Sequence, residues 1–195
     1  MASTRDRLIE TAMTLFYQNG FHAIGLDQIL DEVGVTKTTF YNHFESKDDL
    51  ILEVLEMRDT REREEWLRIM RAKGGDDPRS QLLALFDLLD DWFHESGFRG
   101  CMFINAAAEF PSPNDPIHQA AARHGHLFAR ELRDLCVRAG ADDPDTLTKR
   151  LLLLVAGAVT ARHVDLDDHA ATDAREAAAI FVDHHCPPVE SRPRR

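Results

Sequence analysis

The chain has 195 residues, of which 44% are hydrophobic and 29% charged, and its formal net charge is −11. This length suffices for a sizeable core in one domain or two. The longest strongly apolar stretch, residues 151–161, is too short to cross a bilayer, and no signal peptide opens the chain, so a cytoplasmic protein is expected. Three widely spaced cysteines without a CxxC pair argue against a disulfide framework and against a structural zinc site.

Two amphipathic segments open the chain. Ser3 and Asp6 have capping-box spacing ahead of an apolar stripe, which predicts a first helix that ends near Gly20. Apolar residues then fall at helical spacing over residues 26–33, and Gly34 supplies the left-handed residue that ends a second helix.

A third helix is predicted to begin after Thr36, which is a good N-cap. Phe40 and Phe44 lie four residues apart and are expected to face inward. The outward side chains can nearly all form hydrogen bonds: Lys37, Thr38, Thr39, Tyr41, Asn42 and His43. Such groups suit base edges and phosphates, so residues 25–50 predict a helix-turn-helix that enters a DNA major groove. The same geometry also occurs inside unrelated all-α proteins.

Charge alone does not favour nucleic-acid binding. The first fifty residues carry four Lys or Arg and eight Asp or Glu, a balance of −4. Over residues 35–47, however, Lys37 and Lys47 outweigh Glu45. A local positive face is sufficient for phosphate contacts, while the acidic remainder weakens nonspecific binding.

Helical signals continue to the end of the chain, and no alternating pattern predicts a strand. Six further helices are predicted: one from Ser46 to a break at Gly74, one from Pro78 to near Gly97, one over residues 102–110, one from Pro116 to Gly140, one from Pro144, and one from Thr172 or Asp173. The last two are rich in small and apolar residues, which fits either pairing between subunits or an internal core. Residues 187–195 are predicted to be a disordered tail.

Residues 4–50 resemble the N-terminal DNA-binding domain of the TetR/AcrR family of bacterial regulators. The shared features, in order, are a first helix that ends at Gly20-Phe21, Ile29, Gly34-Val35, Thr39-Phe40-Tyr41, His43-Phe44, and Ser46-Lys47 before Leu50. The resemblance covers about a quarter of the chain. Ile24 and Gly25 stand where the family commonly has hydroxyl residues, and Thr38 stands where many relatives have Gly, so the operator sequence does not transfer.

The resemblance implies an all-α homodimer with a three-helix DNA-binding domain, residues 1–48, and a larger effector-binding and dimerisation domain, residues 49–186. It implies pairing through the last two major helices, a palindromic operator of double-stranded DNA, and a repressor that a small-molecule effector releases. The residues expected at DNA are Thr36, Lys37, Thr38, Thr39, Tyr41, Asn42, His43 and Lys47.

Aromatic, apolar and a few polar side chains of the C-terminal part are candidates for an effector cavity, although each also fits a simple core. They are Phe86, Trp92, Phe93, Cys101, Phe103, Asn105, Glu109, His124 and Phe128. Cys101 stands at the start of the sixth helix, where a helix N-terminus lowers a thiol pKa. A thiol-based sensor of electrophiles or oxidants is therefore an alternative, beside an inert buried cysteine.

An all-α metal-dependent enzyme that uses the acidic and histidine-containing segment 163–169 is the alternative from another class. The chain has no GxSxG, P-loop, GxGxxG or HExxH motif. The sequence therefore predicts no catalytic residue, no metal site and no cofactor.

Overall fold

The computed structural model describes residues 3–187, and over this range it contains nine α-helices and no strand. The helices are α1 (Thr4–Asn19), α2 (Leu26–Val33), α3 (Lys37–Tyr41), α4 (Lys47–Gly74), α5 (Pro78–Phe93), α6 (Met102–Glu109), α7 (Pro116–Arg138), α8 (Pro144–Val164) and α9 (Ala170–His185). The predicted all-α fold class is confirmed. None of these helices is both long enough and apolar enough to span a membrane.

Most helix starts follow from local chemistry. The Ser3–Asp6 capping box forms with both bonds at 3.1 Å. Asp77 accepts a hydrogen bond from the backbone N–H of Ser80 at the start of α5, and Asp143 accepts one from Thr146 at the start of α8. A proline follows each of these two caps, where its missing N–H has no helical partner to lose.

Two helix ends differ from the sequence prediction. The ninth helix begins at Ala170 rather than at residue 172 or 173, and its N-cap His169 makes no side-chain capping bond. Alanines favour the helix strongly enough to extend it toward the preceding turn. The fifth helix ends at Phe93 rather than near Gly97, since the backbone N–H of Glu95 bonds to the carbonyl of Trp92, three residues back, and not to that of Asp91.

The described residues form two compact units. Unit one consists of the described residues up to Glu62 together with Cys101–Gly125. Unit two consists of Arg63–Gly100 and the described residues from His126 onward. Packing thus groups α6 and the first part of α7 with the three N-terminal helices, which the sequence division at residue 48 does not do. That division is functional and stays a prediction. The predicted disordered tail, except Pro187, lies outside the described residues.

The core of unit one joins the helix-turn-helix to α6 and α7. Buried side chains from α1 to the first part of α4 form one cluster with Met102, Phe103 and Ala106 of α6 and Ile117 and Ala121 of α7. The three N-terminal helices therefore share their core with helices that lie far along the sequence.

In unit two, α9 packs against α5 and α8. The buried face of α5 includes Leu82, Leu85, Phe86 and Leu89, as the sequence predicts. The core of this unit is therefore supplied mainly by apolar helix faces that are readable in the sequence.

Candidate functional site

A buried pair of phenylalanines fixes α3 from behind. Phe40 is fully buried and Phe44 is 2% exposed, and their ring centroids lie 5.4 Å apart. The guanidinium of Arg5 lies 5.3 Å from the centroid of Phe44. Backbone hydrogen bonds from His43 and Phe44 to the carbonyl of Phe40 continue the helical path beyond Tyr41. The short helix and the turn after it therefore form one anchored segment.

All eight residues predicted at DNA lie in unit one, on or beside this segment. Six are exposed and two are partly buried, Thr39 and Lys47. Tyr41 is 57% exposed although it is aromatic. The face opposite Phe40 and Phe44 is thus uncovered and carries groups that donate and accept hydrogen bonds.

Two threonines of this face also form the N-terminal cap of α3. The side chain of Thr36 accepts a hydrogen bond from the backbone N–H of Thr39 at 3.2 Å, and the two hydroxyls lie 3.0 Å apart. The predicted N-cap is confirmed, and Gly34 before it adopts the left-handed conformation with φ of 73°.

Lys37 has an acidic neighbour that the sequence prediction did not include. Its Nζ lies 2.9 Å from Oδ1 of Asp27 on α2, and both side chains are largely exposed. The hydrogen bond to Asp27 raises the pKa of Lys37. A phosphate or a base edge must therefore compete with this exposed carboxylate, which water screens.

Lys47 is more internal than predicted. Its Nζ donates to the backbone carbonyl of Phe21 at 2.6 Å and lies 5.6 Å from the ring centroid of Phe16. Burial lowers the pKa of Lys47 although Asp48 and Glu109 act in the opposite direction. One of its three ammonium donors thus holds the loop between α1 and α2, and only the other two can serve a phosphate.

The nine effector candidates divide between the two units. Cys101, Phe103, Asn105, Glu109 and His124 belong to unit one, and Phe86, Trp92, Phe93 and Phe128 belong to unit two. Within unit one, Nδ1 of His124 lies 2.7 Å from Oδ1 of Asp59, and its ring stacks on Phe103 with centroids 3.6 Å apart. The imidazole of His124 and the carboxylate of Asp59 thus already have hydrogen-bond partners within the protein.

Unit two contains an aromatic cluster with two members that the prediction missed. Trp66 lies 5.7 Å from Trp92 and 5.4 Å from Phe128, as measured between ring centroids. Phe98 lies 4.9 Å from Trp92 and 5.2 Å from Phe93. Trp66 has helical spacing with Ile69 and Met70, which indicates a core face and not a cavity, and Phe98 lies in a loop where no periodicity marks it.

Two cavities of the described part of unit two lie near the effector candidates. The larger, of about 450 Å³, is lined by His94, Glu95, Ser96, Phe98, Arg99, Arg162, His163 and Leu166. The smaller, of about 270 Å³, is lined by Lys73, Phe86, Asp87, Asp90, Asp91, Thr172 and Arg175. Of the nine effector candidates, only Phe86 lines either cavity.

The pKa of the Cys101 thiol is raised, whereas the sequence predicts that a helix N-terminus lowers it. Cys101 is the N-cap of α6, and backbone hydrogen bonds from Ile104 and Phe103 do act to lower its pKa. Burial outweighs them and, together with the nearby Glu62, raises the pKa of the Cys101 thiol to about 11. The thiolate, which is the nucleophile, is thus strongly disfavoured near neutral pH.

Iodoacetamide at pH 7.5 is expected to leave Cys101 of the native protein unlabelled over the minutes in which it alkylates the urea-unfolded chain. With a pKa of about 11, on the order of one thiol in a thousand or fewer is ionised at this pH. Mass spectrometry of digested protein measures the labelling at each cysteine. Equal rates for the native and the unfolded chain would show that Cys101 is reactive.

Among residues 3–187, no three or more His, Cys, Asp and Glu side chains converge as a metal site would require. The segment 163–169 instead makes contacts within unit two. Oδ1 of Asp168 lies 3.3 Å from Arg162, and the backbone N–H of His169 donates to Asp167.

Comparison with known proteins agrees with this geometry. Residues 8–54 match the family model for bacterial regulatory proteins of the tetR family, and residues 78–178 match that for the tetracyclin repressor-like C-terminal domain. A solved TetR-family transcriptional regulator from Streptomyces coelicolor is 33% identical, with a TM-score of 0.78 and 93% of each chain covered. The reduced form of Escherichia coli NemR shares the fold at 22% identity and a TM-score of 0.79, over 95% of this chain and 99% of that one.

Curated relatives extend the similarity. The regulator YjdC of Escherichia coli is 21% identical over 156 residues, which cover 80% of this chain and 81% of that protein. The transcriptional activator FasR of Mycolicibacterium smegmatis is 44% identical over 52 residues, which span 27% of this chain and 24% of FasR.

The chain is therefore a helix-turn-helix transcriptional regulator and not an enzyme. It belongs to the TetR family, whose members bind DNA through the N-terminal domain, act as dimers and are typically ligand-responsive repressors.

Proposed function

We propose that this regulator is a repressor that binds a palindromic operator as a homodimer and is released by a small-molecule effector. The observation that carries the proposal is the uncovered hydrogen-bonding face around α3, held by Phe40 and Phe44 behind it. An anchored segment of this kind presents side chains to base edges in a fixed register.

The side chains of this face divide by chemistry into two roles. Asn42 can pair with adenine in two hydrogen bonds, and Lys37, Thr38, Thr39 and His43 can reach other base edges. Tyr41, Thr36 and Lys47 contact phosphates, which set the position of the protein without reading sequence. Because Thr36 and Lys47 also make internal hydrogen bonds, Tyr41 contributes most among the three.

Pairing of two copies through α8 and α9 is supported by an uncovered apolar face. Leu153 and Val164 of α8 are 73% and 67% exposed, and Ile180 of α9 is 68% exposed. Ala156, Gly157 and Thr160 lie at helical spacing between the first two and are also exposed. A row of small residues between apolar ones allows two helices to approach closely, and a two-fold dimer presents the same face of both copies.

Release by an effector follows from differential affinity. A small molecule that binds better to a state in which the two α3 segments are wrongly spaced for the operator lowers DNA affinity by that difference. The larger cavity of unit two, which Phe98 of the aromatic cluster lines together with Arg162 and His163, supplies space for such a ligand.

Selection of duplexes from a random-sequence DNA library tests the proposal. The purified protein is expected to enrich a two-fold symmetric motif whose half-site centres lie about one helical turn, ~34 Å, apart. Binding of the enriched duplex should fall steeply with salt. Enrichment of no motif, or of a single unpaired half-site, would contradict it.

A further inference from the structure

The loop between α1 and α2 is held by a carboxylate from α6. Oε1 of Glu109 accepts a hydrogen bond from the backbone N–H of Phe21 at 2.9 Å. Oε2 accepts one from the backbone N–H of His22 at 2.7 Å and lies 3.0 Å from Nδ1 of the same histidine. All of these residues belong to unit one. Glu109, which lies 88 positions after Phe21 in the chain, thus accepts the hydrogen bonds of two successive backbone amides in the N-terminal domain.

The backbone conformation at Gly20 favours glycine, and the carboxylate lies close to it. Gly20 has φ of 90°, a left-handed conformation that other residues rarely adopt. A side chain at this position would begin 3.0 Å from Oε1 of Glu109. A side chain at position 20 would therefore both strain the loop and press on the carboxylate.

Neighbouring groups complete this arrangement, which we call the Glu109 clamp and define as Glu109, Lys47, Phe21, His22 and Phe110. Lys47 donates to the carbonyl of Phe21, so the two sides of one loop residue are held by α4 and α6. The buried ring of Phe21 lies 6.2 Å from that of Phe110, and His22 stacks on Phe110 at 4.6 Å.

The clamp favours the ionised carboxylate. Burial acts to raise the pKa of Glu109, but the hydrogen bonds from the backbone N–H groups of His22 and Phe21, together with the side chain of His22, outweigh it and lower the pKa. A carboxyl group with a lowered pKa in the folded state loses its stabilising contribution only as pH falls through that lowered value. The clamp is therefore complete at neutral pH.

The α1–α2 loop leads into α2, which packs against the DNA-facing helix α3. It ends at Gly25, the N-cap of α2, which makes no side-chain capping bond. Buried Ile29, Leu30 and Val33 of α2 share the core of unit one with Phe40 of α3. The placement of α3 thus depends on α2, and the entry to α2 depends on the clamp.

We propose that Glu109 is a positioning residue for operator reading: it contacts backbone amides of the α1–α2 loop and through them sets the register of α3 in the groove. The inference rests on the proposed function, because it concerns sequence-specific binding. Glu109 lies on α6 and bonds to the N-terminal domain, not to bases. It nevertheless controls how well the protein discriminates between operator and other DNA.

Glu109→Gln tests the proposal with little change of shape. The amide keeps one acceptor oxygen but turns an NH₂ group toward the second backbone N–H, so one hydrogen bond is replaced by two facing donors. Glu56→Gln is the matched control, since Glu56 is an exposed residue of unit one and the charge change is the same. Each protein is titrated with the duplex enriched by the wild type and with a scrambled duplex of equal length.

Glu109→Gln is expected to weaken binding of the enriched duplex by about tenfold, because binding must then restore a loop conformation that one charge-assisted hydrogen bond no longer holds. Binding of the scrambled duplex should change by less than about twofold, and the control should match the wild type on both. Amide hydrogen exchange at Phe21 and His22 should quicken in Glu109→Gln alone.

Three outcomes separate the possibilities. A wild type that enriches no duplex refutes the proposed function itself. A wild type that binds its duplex while Glu109→Gln binds it equally well overturns the positioning role. An equal proportional loss on both duplexes also overturns it, because a merely structural role gives that result.

Discussion

Leu153→Arg is expected to convert the dimer into monomers and to weaken binding of a duplex with two half-sites by on the order of 100-fold. Leu153 is 73% exposed on α8, so an arginine there costs a single chain little. In the proposed dimer the same position would be buried opposite its own copy, where an unpaired charge is strongly unfavourable. In a dimer, binding of one α3 to its half-site holds the other α3 at high effective concentration near the second half-site. A monomer lacks this advantage.

Val137→Arg is the control for this change. Val137 is 50% exposed on α7 of the same unit, and the substitution introduces the same side chain away from α8 and α9. Analytical ultracentrifugation measures the oligomeric state, and fluorescence anisotropy compares duplexes with one and two half-sites. The proposed interface is wrong if Leu153→Arg stays dimeric, or if both variants lose binding equally.

Phe40→Ala is expected to lower the free energy of unfolding by about 3–5 kcal/mol, the usual loss when a large buried ring is removed. Phe40 is fully buried, and it anchors the exposed face of α3 against Phe44. Since the fold of α3 depends on this contact, operator binding should be lost together with stability.

Tyr41→Ala is the neighbouring control. Tyr41 is 57% exposed, so its removal should change stability by less than about 1 kcal/mol, while phosphate contacts and hence binding to every duplex weaken. Urea denaturation monitored by circular dichroism gives both stabilities. Equal stability losses for the two variants would show that Phe40 does not anchor the segment.

Helix positions were largely predictable because their signals are local. Ser3, Gly34 and Thr36 act within three or four residues of themselves, through a cap or a left-handed turn, and the structure shows each in that role. The sequence also separated inward Phe40 and Phe44 from the polar residues around them, because helical spacing alone decides which face is apolar.

The internal uses of Lys47 and Glu109 were not predictable in the same way. The partners of Glu109 lie 87 and 88 residues away, and nothing in the spacing of the two segments indicates their contact. The pKa of Cys101 was misjudged for a related reason. A helix N-terminus is visible in the sequence, but the burial that outweighs it arises only from tertiary packing.

A similar limit applies to the effector candidates. Apolar character selects core and cavity residues alike, so the sequence could not separate Phe86, which lines a cavity, from Phe103, which packs on His124. The division of these candidates between two compact units follows from how α6 and α7 pack, which periodicity does not encode.

The claim that the uncovered face of α3 reads bases is tested most directly by repeating the library selection with Asn42→Ala. Asn42 is exposed at the end of α3, where its loss should leave the fold intact. The account predicts that the variant enriches a motif with relaxed preference at one position in each half-site, at a cost of about 1–3 kcal/mol for the original base. An unchanged motif bound uniformly more weakly would contradict it.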